Sequence, residues 1–378
     1  MRLRLPAPCL ALTSIVAVAA PGCSTTERDE NMTGSASVGP TTGSTASAGD
    51  TSAGSSDTAA SSSGSGGETS GPKFDVGDSG ETAGGDDGGG QMGCKKVDFL
   101  FVIDNSGSMA EEQSALIASF PKFIEAIKST LDMAQDYHIM VVDTDAWVYE
   151  GCELLCQFGS CLVNPEYVCG QTQPLECEDV LGAGVTYPRG MGASNVDCMF
   201  SSGARYMDTT EQDLVGKFSC AARVGTGSTV DPEKPMEAMV AAVSGNGEVG
   251  ACNQGFLRDD AILVVTFITD EDDDAGDGSN GTVEGWRQAL IAAKNGDENA
   301  IVVLGLFGDQ DLPNAICPPG DPNNGGVAEP SPRLRQFLDS WGDHGFFGSI
   351  CASSYDEFFL DAVSIIDTTC DDFVPPQG

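Results

Sequence analysis

The sequence predicts an α/β domain: a doubly wound, mostly parallel sheet with helices on both faces, preceded by a disordered N-terminal tether and carrying a cysteine-rich insertion. Two observations carry that expectation. Residues 97–103, 261–269 and 300–307 are near-continuous apolar runs of strand length, as expected of strands buried on both faces. Between and after them lie segments with apolar residues on one helical stripe, the alternation that builds a covered parallel sheet.

Residues 97–103 form the expected first strand. A helix follows over about 110–131, with Leu116, Phe120, Phe123, Ile124, Ile127 and Leu131 on one face and a kink expected at Pro121. Residues 137–142 are the second strand, and 261–269 and 300–307 are interior strands. Further helices are expected at 282–294, 332–341 and 354–367. The last places Tyr355, Phe358, Phe359, Ala362, Val363 and Ile366 on one stripe, a core-facing pattern.

The residues before this domain cannot build a core. Arg2 and Arg4 precede an apolar segment at 10–20 that is too short to span a bilayer, so residues 1–22 are expected to be an export signal. Two processing routes are open. Cleavage near Ala17-Val18-Ala19 would give a secreted protein. The lipobox-like Ala20-Pro21-Gly22-Cys23 would instead make Cys23 the lipid anchor of an outer-membrane or cell-surface lipoprotein, and it accounts for a cysteine set between an apolar run and a polar tail. Residues 23–93 are Ser, Thr, Gly, Ala, Asp and Glu with almost no large apolar side chain, a composition that stays unfolded. The domain is placed at 94–370, with a tail at 371–378.

Net charge is −39, which excludes nucleic acid as an expected partner, since phosphate binding needs clustered Lys and Arg. Of the 14 cysteines, Cys9 lies in the signal and Cys23 at its end, leaving an even number. In an exported chain these predict disulfides. Zinc at Cys152, Cys156 and Cys161 is the weaker alternative, with only His138 and His344 available as partners. Position suggests Cys94 with Cys370, flanking the domain; Cys220 with Cys252, flanking a mid-domain helix; and Cys317 with Cys351, flanking helix 332–341. Cys152, Cys156, Cys161, Cys169, Cys177 and Cys198, in an insertion over about 146–200, are then left to each other.

The first strand ends in Asp104-Asn105-Ser106-Gly107-Ser108, one carboxylate and two hydroxyls at alternate positions of a tight loop. Small oxygen donors of this kind suit a hard divalent ion, Mg2+ or Mn2+, with Ca2+ as a lesser alternative. Two further loops match in kind: Val224-Gly225-Thr226-Gly227-Ser228-Thr229 before a helix opening at Asp231-Pro232-Glu233, and Phe267-Ile268-Thr269-Asp270 after an interior strand.

Together these residues resemble the metal-ion-dependent adhesion site (MIDAS) of von Willebrand factor A (VWA) domains, a Rossmann-like family, over nearly all of 97–367. The resemblance implies that Asp104, Ser106, Ser108, Thr226 and Asp270 hold the ion, Ser228 or Thr229 replacing Thr226 if the alignment slips. It implies that a partner protein offers an acidic residue to that ion, so the expected function is adhesion or assembly at the cell surface. In integrin-like members the final helix slides to transmit binding; a Cys94–Cys370 bridge would resist that here. The chain departs from the family after Asp270, where Glu271 stands in place of Gly and leads into Asp272-Asp273-Asp274-Ala275-Gly276-Asp277. That run is expected to be a solvated loop, with a second cation site as the alternative; Glu111 and Glu112 fall where some members hold an adjacent ion.

An enzyme is not expected. The chain has no G-x-x-x-x-G-K-[ST] and no G-x-S-x-G, and Gly245-Asn246-Gly247-Glu248-Val249-Gly250 follows a helix, where a helix-ending turn explains it. His138 in a strand and His344 in a Gly-rich turn do not suggest a general base. The two alternatives are a surface protein in which the metal serves only stability, and a metal-assisted extracellular hydrolase.

Overall fold

The computed structural model describes residues 94–130, 136–145, 175–228, 233–274, 278–320 and 327–376. The expected signal peptide, Cys23, the tether, and Cys152, Cys156, Cys161 and Cys169 lie outside these residues. Among the described residues no helix is long and apolar enough to cross a membrane.

The strands are β1 (Lys96–Ile103), β2 (Asp136–Asp143), β3 (Met207–Asp208), β4 (Ile262–Ile268), β5 (Ile301–Phe307) and β6 (Gly345–Ser349). They form one sheet in the order β3-β2-β1-β4-β5-β6, parallel throughout except for the short β2–β3 pair. Helices are α1 (Ala110–Thr130), α2 (Leu214–Ala221), α3 (Pro235–Ala242), α4 (Gly247–Cys252), α5 (Val283–Ala293), α6 (Pro332–Asp339) and α7 (Asp356–Asp372). The fold is therefore the doubly wound α/β arrangement that the sequence predicts.

Each interior strand feeds two cores, which is why its sequence lacks a polar face. Phe99, Phe101 and Ile103 of β1 pack with α1, α2 and α7. Leu100 and Val102, pointing the other way, pack with α3, α5 and α6. On the first face Phe218 of α2 stacks on Phe120 of α1 with ring centroids 3.5 Å apart. Burying each such ring stabilises the fold by about 2–3 kcal/mol. The helix carrying Phe120 continues through Pro121 without a break. The two helices flanking this face, α1 and α7, are also joined at the surface by the Lys122–Asp356 ion pair.

Several boundaries differ from expectation. The mid-domain helix α3 opens at Pro235; of the expected start at Asp231-Pro232-Glu233 only Glu233 is described, and it lies before the helix. Pro at the first helical position sacrifices no intrahelical bond. The segment 245–250 is more than a helix-ending turn, since Gly247 begins α4. The edge strand β6 lies in a Gly-rich stretch whose five residues carry too little apolar pattern to signal a strand.

Four disulfides are present among the described residues. Cys94–Cys370 and Cys317–Cys351 form as expected. Cys220 does not pair with Cys252: Cys220 joins Cys198, and Cys252 joins Cys177. The reason is the sheet between them. Cys220 packs against the first core, whereas Cys252 closes α4, which contacts α3 on the second face. Cys177 and Cys198 are thus not reserved for the other insertion cysteines; they pin residues 175–206, a stretch with neither helix nor strand, to opposite sides of the domain.

The acidic run after Asp270 is solvated only in part where it is described: Asp274 is exposed, as expected, but the two residues before it are not. Asp272 and Asp273 are buried, 7% and 0% exposed. Asp272 accepts the backbone N–H groups of Arg333 and Leu334, both at 3.1 Å. Asp273 accepts that of Met236 at 3.1 Å and that of Ser279 at 2.7 Å. Each carboxylate therefore caps a helix opened by proline, α6 and α3, whose own cap residues Ser331 and Lys234 make no side-chain cap bond. Arg333 completes this hub by donating to Asp273 at 3.1 Å and stacking on Trp286.

Candidate metal centre

β1 lies where the chain direction across the sheet reverses: β2 follows it on one side and β4 adjoins it on the other. A crevice outside the carboxyl ends of such strands is where open α/β sheets place ligands. The loops after β1 and β4 face each other there, because the parallel register pairs Ile103 with Ile268.

Asp104 extends that register by one step, its N–H donating to Ile268 O at 3.0 Å. Its side chain is fully buried. Oδ1 accepts from the Ser106 N–H at 2.6 Å, closing an Asx turn, and Oδ2 accepts from the Thr269 hydroxyl at 2.7 Å. The turn sets the Ser106 and Ser108 hydroxyls 3.4 Å apart. Asp270, on the facing loop, is 4% exposed, and its Oδ1 has no hydrogen-bond partner.

The electrostatics follow from burial. Asp104 is pushed up to about 7, first by desolvation and then by the negative charge of Asp270, against the lowering pull of Thr269 and Ser106. Asp270 is raised by burial, with the Ser108 and Ser106 hydroxyls opposing. Two acids and two serine hydroxyls therefore interact across the strand ends.

The second loop docks on the first without turning its threonine toward Asp104. Thr226 donates its N–H to Met191 O at 2.7 Å and its hydroxyl to the same oxygen at 3.4 Å. Gly192, at φ +74°, makes this approach possible, since a Cβ there would lie 2.8 Å from Thr226 Oγ1. Ser228 instead meets the first loop: its N–H donates to Asn105 O at 3.1 Å, and its hydroxyl donates to Asp145 at 3.0 Å. Thr229 lies outside the described residues.

Several residues that shape the site escape a reading of the sequence. Gln113 donates to Asp104 O at 3.0 Å and to Gly225 O at 2.7 Å, tying first loop to second; its signal is a polar residue on the otherwise apolar stripe of α1. Glu233, 1% exposed, accepts from Thr144 at 2.6 Å, while its Oε1 has no partner. Burial and then the charge of Asp104 push Glu233 up to about 9. Glu112, whose Oε2 also lacks a partner, is raised to about 6, chiefly by burial.

Among the described residues no group of three or more His, Cys, Asp or Glu side chains is placed to hold a metal ion. Any cation at this edge must be held by two carboxylates supplemented by hydroxyls. The donor set fits a hard cation in three respects: Asp270 Oδ1 is buried without a donor, Ser106 and Ser108 offer adjacent hydroxyls, and the Asp104–Asp270 repulsion is of the kind a positive ion relieves. It does not fit in one: Thr226 is turned to Met191.

The two histidines are occupied structurally. His138 Nδ1 lies 2.8 Å from Phe256 O, and His344 Nδ1 lies 2.9 Å from Ile301 O. Compared with known proteins, the sequence matches no family model and no curated protein.

Proposed function

We propose that this chain is an exported, lipid-anchored surface protein in which a domain of the von Willebrand factor A type binds a protein partner through a divalent cation. The observation that carries the proposal is the buried Asp270 carboxylate, its Oδ1 without a donor, beside the hydroxyl pair of Ser106 and Ser108 and the carboxylate of Asp104. Asp104, Ser106, Ser108 and Asp270 would hold Mg2+ or Mn2+. When bound, such an ion supplies positive charge that a partner's Asp or Glu side chain can satisfy.

The protein's own part is positioning. Thr269 and the Ser106 N–H orient the Asp104 carboxylate from both sides, and Gln113 holds the second loop against the first. The anchoring half of the proposal rests on Cys23 and the polar stretch behind it, through which the domain would stand off the membrane. Cys23→Ser should move the protein from the membrane to the soluble fraction, with no lipid found on residue 23 by mass spectrometry.

The test of the cation reading is calorimetric titration of the whole protein with Mg2+ and Mn2+, followed by cross-linked pull-down from the source cell surface with and without chelator. Binding of the ion, and partners captured only with the ion present while the domain stays folded, support the proposal. Absence of either result overturns it.

A second reading, in which the metal serves stability alone, is favoured by the Asp104 contacts: both its oxygens already accept a protein donor. Under that reading chelator lowers the melting temperature and leaves partner capture unchanged.

A further inference from the structure

A groove of about 730 Å³ opens beside the metal loops, between the first turns of α1, the residues that follow β6, and the Cys317–Cys351 bridge. Its charged lining is of one sign. Glu111, Glu112 and Asp270 line it, and among the described residues no lysine, arginine or histidine does.

Two carboxylate oxygens in that lining, Glu112 Oε2 and Asp270 Oδ1, are buried and accept no hydrogen bond. Asp270 is more than nine-tenths buried, and a buried acceptor without a protein donor is destabilising until one is supplied. The phenol in the lining supplies nothing, because the Tyr355 hydroxyl donates to Ile350 O at 2.8 Å. Apart from Ser108 and Ser353, the remaining side chains of the wall are apolar, Ala115 and Ile350 among them. Aliphatic wall and unpaired acid end together describe the complement of a long cationic side chain, whose methylene stem is apolar and whose head carries the donors.

We propose that this groove receives an arginine or lysine side chain of the partner, with the stem along Ala115 and Ile350 and the cationic head against Glu111, Glu112 and the groove side of Asp270. The inference rests on the proposed function for its setting: the partner segment would offer an acidic residue to the cation and a basic one to the groove. Occupation of Asp270 by a cation leaves Glu111 and Glu112 facing the groove, so the groove retains its sign.

The experiment uses the full-length protein and Nα-acetyl-arginine amide as probe, compared with its citrulline analogue, which has nearly the same shape and no charge. Saturation-transfer NMR titrations are run in Mg2+ and again in EDTA. The arginine compound is expected to bind about tenfold more tightly than the citrulline one. Glu112→Gln should remove most of that preference, Glu111→Gln part of it, and Ala115→Phe should weaken both compounds by filling the wall.

A preference that is absent, or that survives both glutamine substitutions, overturns the proposal, as does failure of the arginine compound to bind. Displacement of the arginine compound by Mg2+ through Glu112 would make the groove a cation site and overturn it too. The arms in EDTA separate the two readings. If no divalent ion binds by calorimetry yet the arginine preference persists, the proposed function falls and the groove stands; if the ion binds and the preference is missing, the reverse holds.

Discussion

Thr269 donates its hydroxyl proton to Asp104 Oδ2 at 2.7 Å across the two parallel strands that meet at the centre of the sheet. The contact fixes one carboxylate oxygen while the Ser106 N–H fixes the other at 2.6 Å. Orientation of a ligating carboxylate by an outer partner commonly matters by 10–100-fold in metal affinity. Thr269→Val should therefore weaken Mg2+ or Mn2+ binding by about that factor, whereas Asp104→Ala should abolish it, both with the fold retained. Ser106→Ala and Ser108→Ala should each weaken binding less than Asp104→Ala. Thr226→Ala should weaken it least, since its hydroxyl is directed to Met191 O. Calorimetric titration ranks all five; an unchanged affinity in Asp104→Ala would remove the site.

A second prediction concerns pH. Asp104 is raised to about 7 and Glu233 to about 9, so between their ordinary carboxylate values and these the folded state binds more protons than the unfolded one. The stability these groups contribute is then fully present below their unfolded values and is lost as pH rises through the folded ones. The metal-free protein should melt several degrees lower at pH 8 than at pH 5. Glu233→Gln should flatten that slope, and saturating Mg2+ should flatten it further through Asp104. Calorimetric melting in EDTA across this range decides; a melting temperature that climbs with pH would contradict it.

Much of this site was legible because its decisive residues sit at strand ends. An apolar run leading directly into Asp104, and another into Thr269-Asp270, identify the strands and the loops in one step. What was not legible depends on contacts between distant segments. Gln113 meets Gly225 across 112 positions, and Thr144 meets Glu233 across 89; no local pattern encodes either. The Cys220–Cys252 expectation failed for a related reason, since flanking one helix in sequence does not place two cysteines on the same face of a sheet. Asp272 and Asp273 look like surface charge in a list of letters, and only the approach of α6 and α3 turns them into caps.

Those caps yield a third prediction. Asp273→Ala removes the acceptor for Met236 and Ser279 and the partner of Arg333, leaving a half-buried cation short of a counter-charge. It should cost about 2–4 kcal/mol, and Asp272→Ala about 1–2 kcal/mol. Urea unfolding at fixed Mg2+ measures both. Neither substitution should change affinity for Mg2+ or Ca2+; a loss of cation binding at unchanged stability would restore the second-cation reading of this run.

The last prediction concerns the final helix. Cys370 lies within α7, and its bridge to Cys94 ties that helix to the residue two places before β1, with the two Cα atoms 4.7 Å apart. Phe359, Ala362 and Ile366 hold the same helix in the first core, so a slide along its axis would have to break both the packing and the covalent tether. Binding should then be gated by the metal without a shift of α7. Hydrogen exchange of the α7 amides should be the same in Mg2+ and in EDTA, and the same again with the captured partner. Cys94→Ser/Cys370→Ser should be less stable by about 2–4 kcal/mol and should speed exchange in the last turns of α7. A displacement of α7 on partner binding in the intact, oxidised protein would show that the bridge does not restrain the helix.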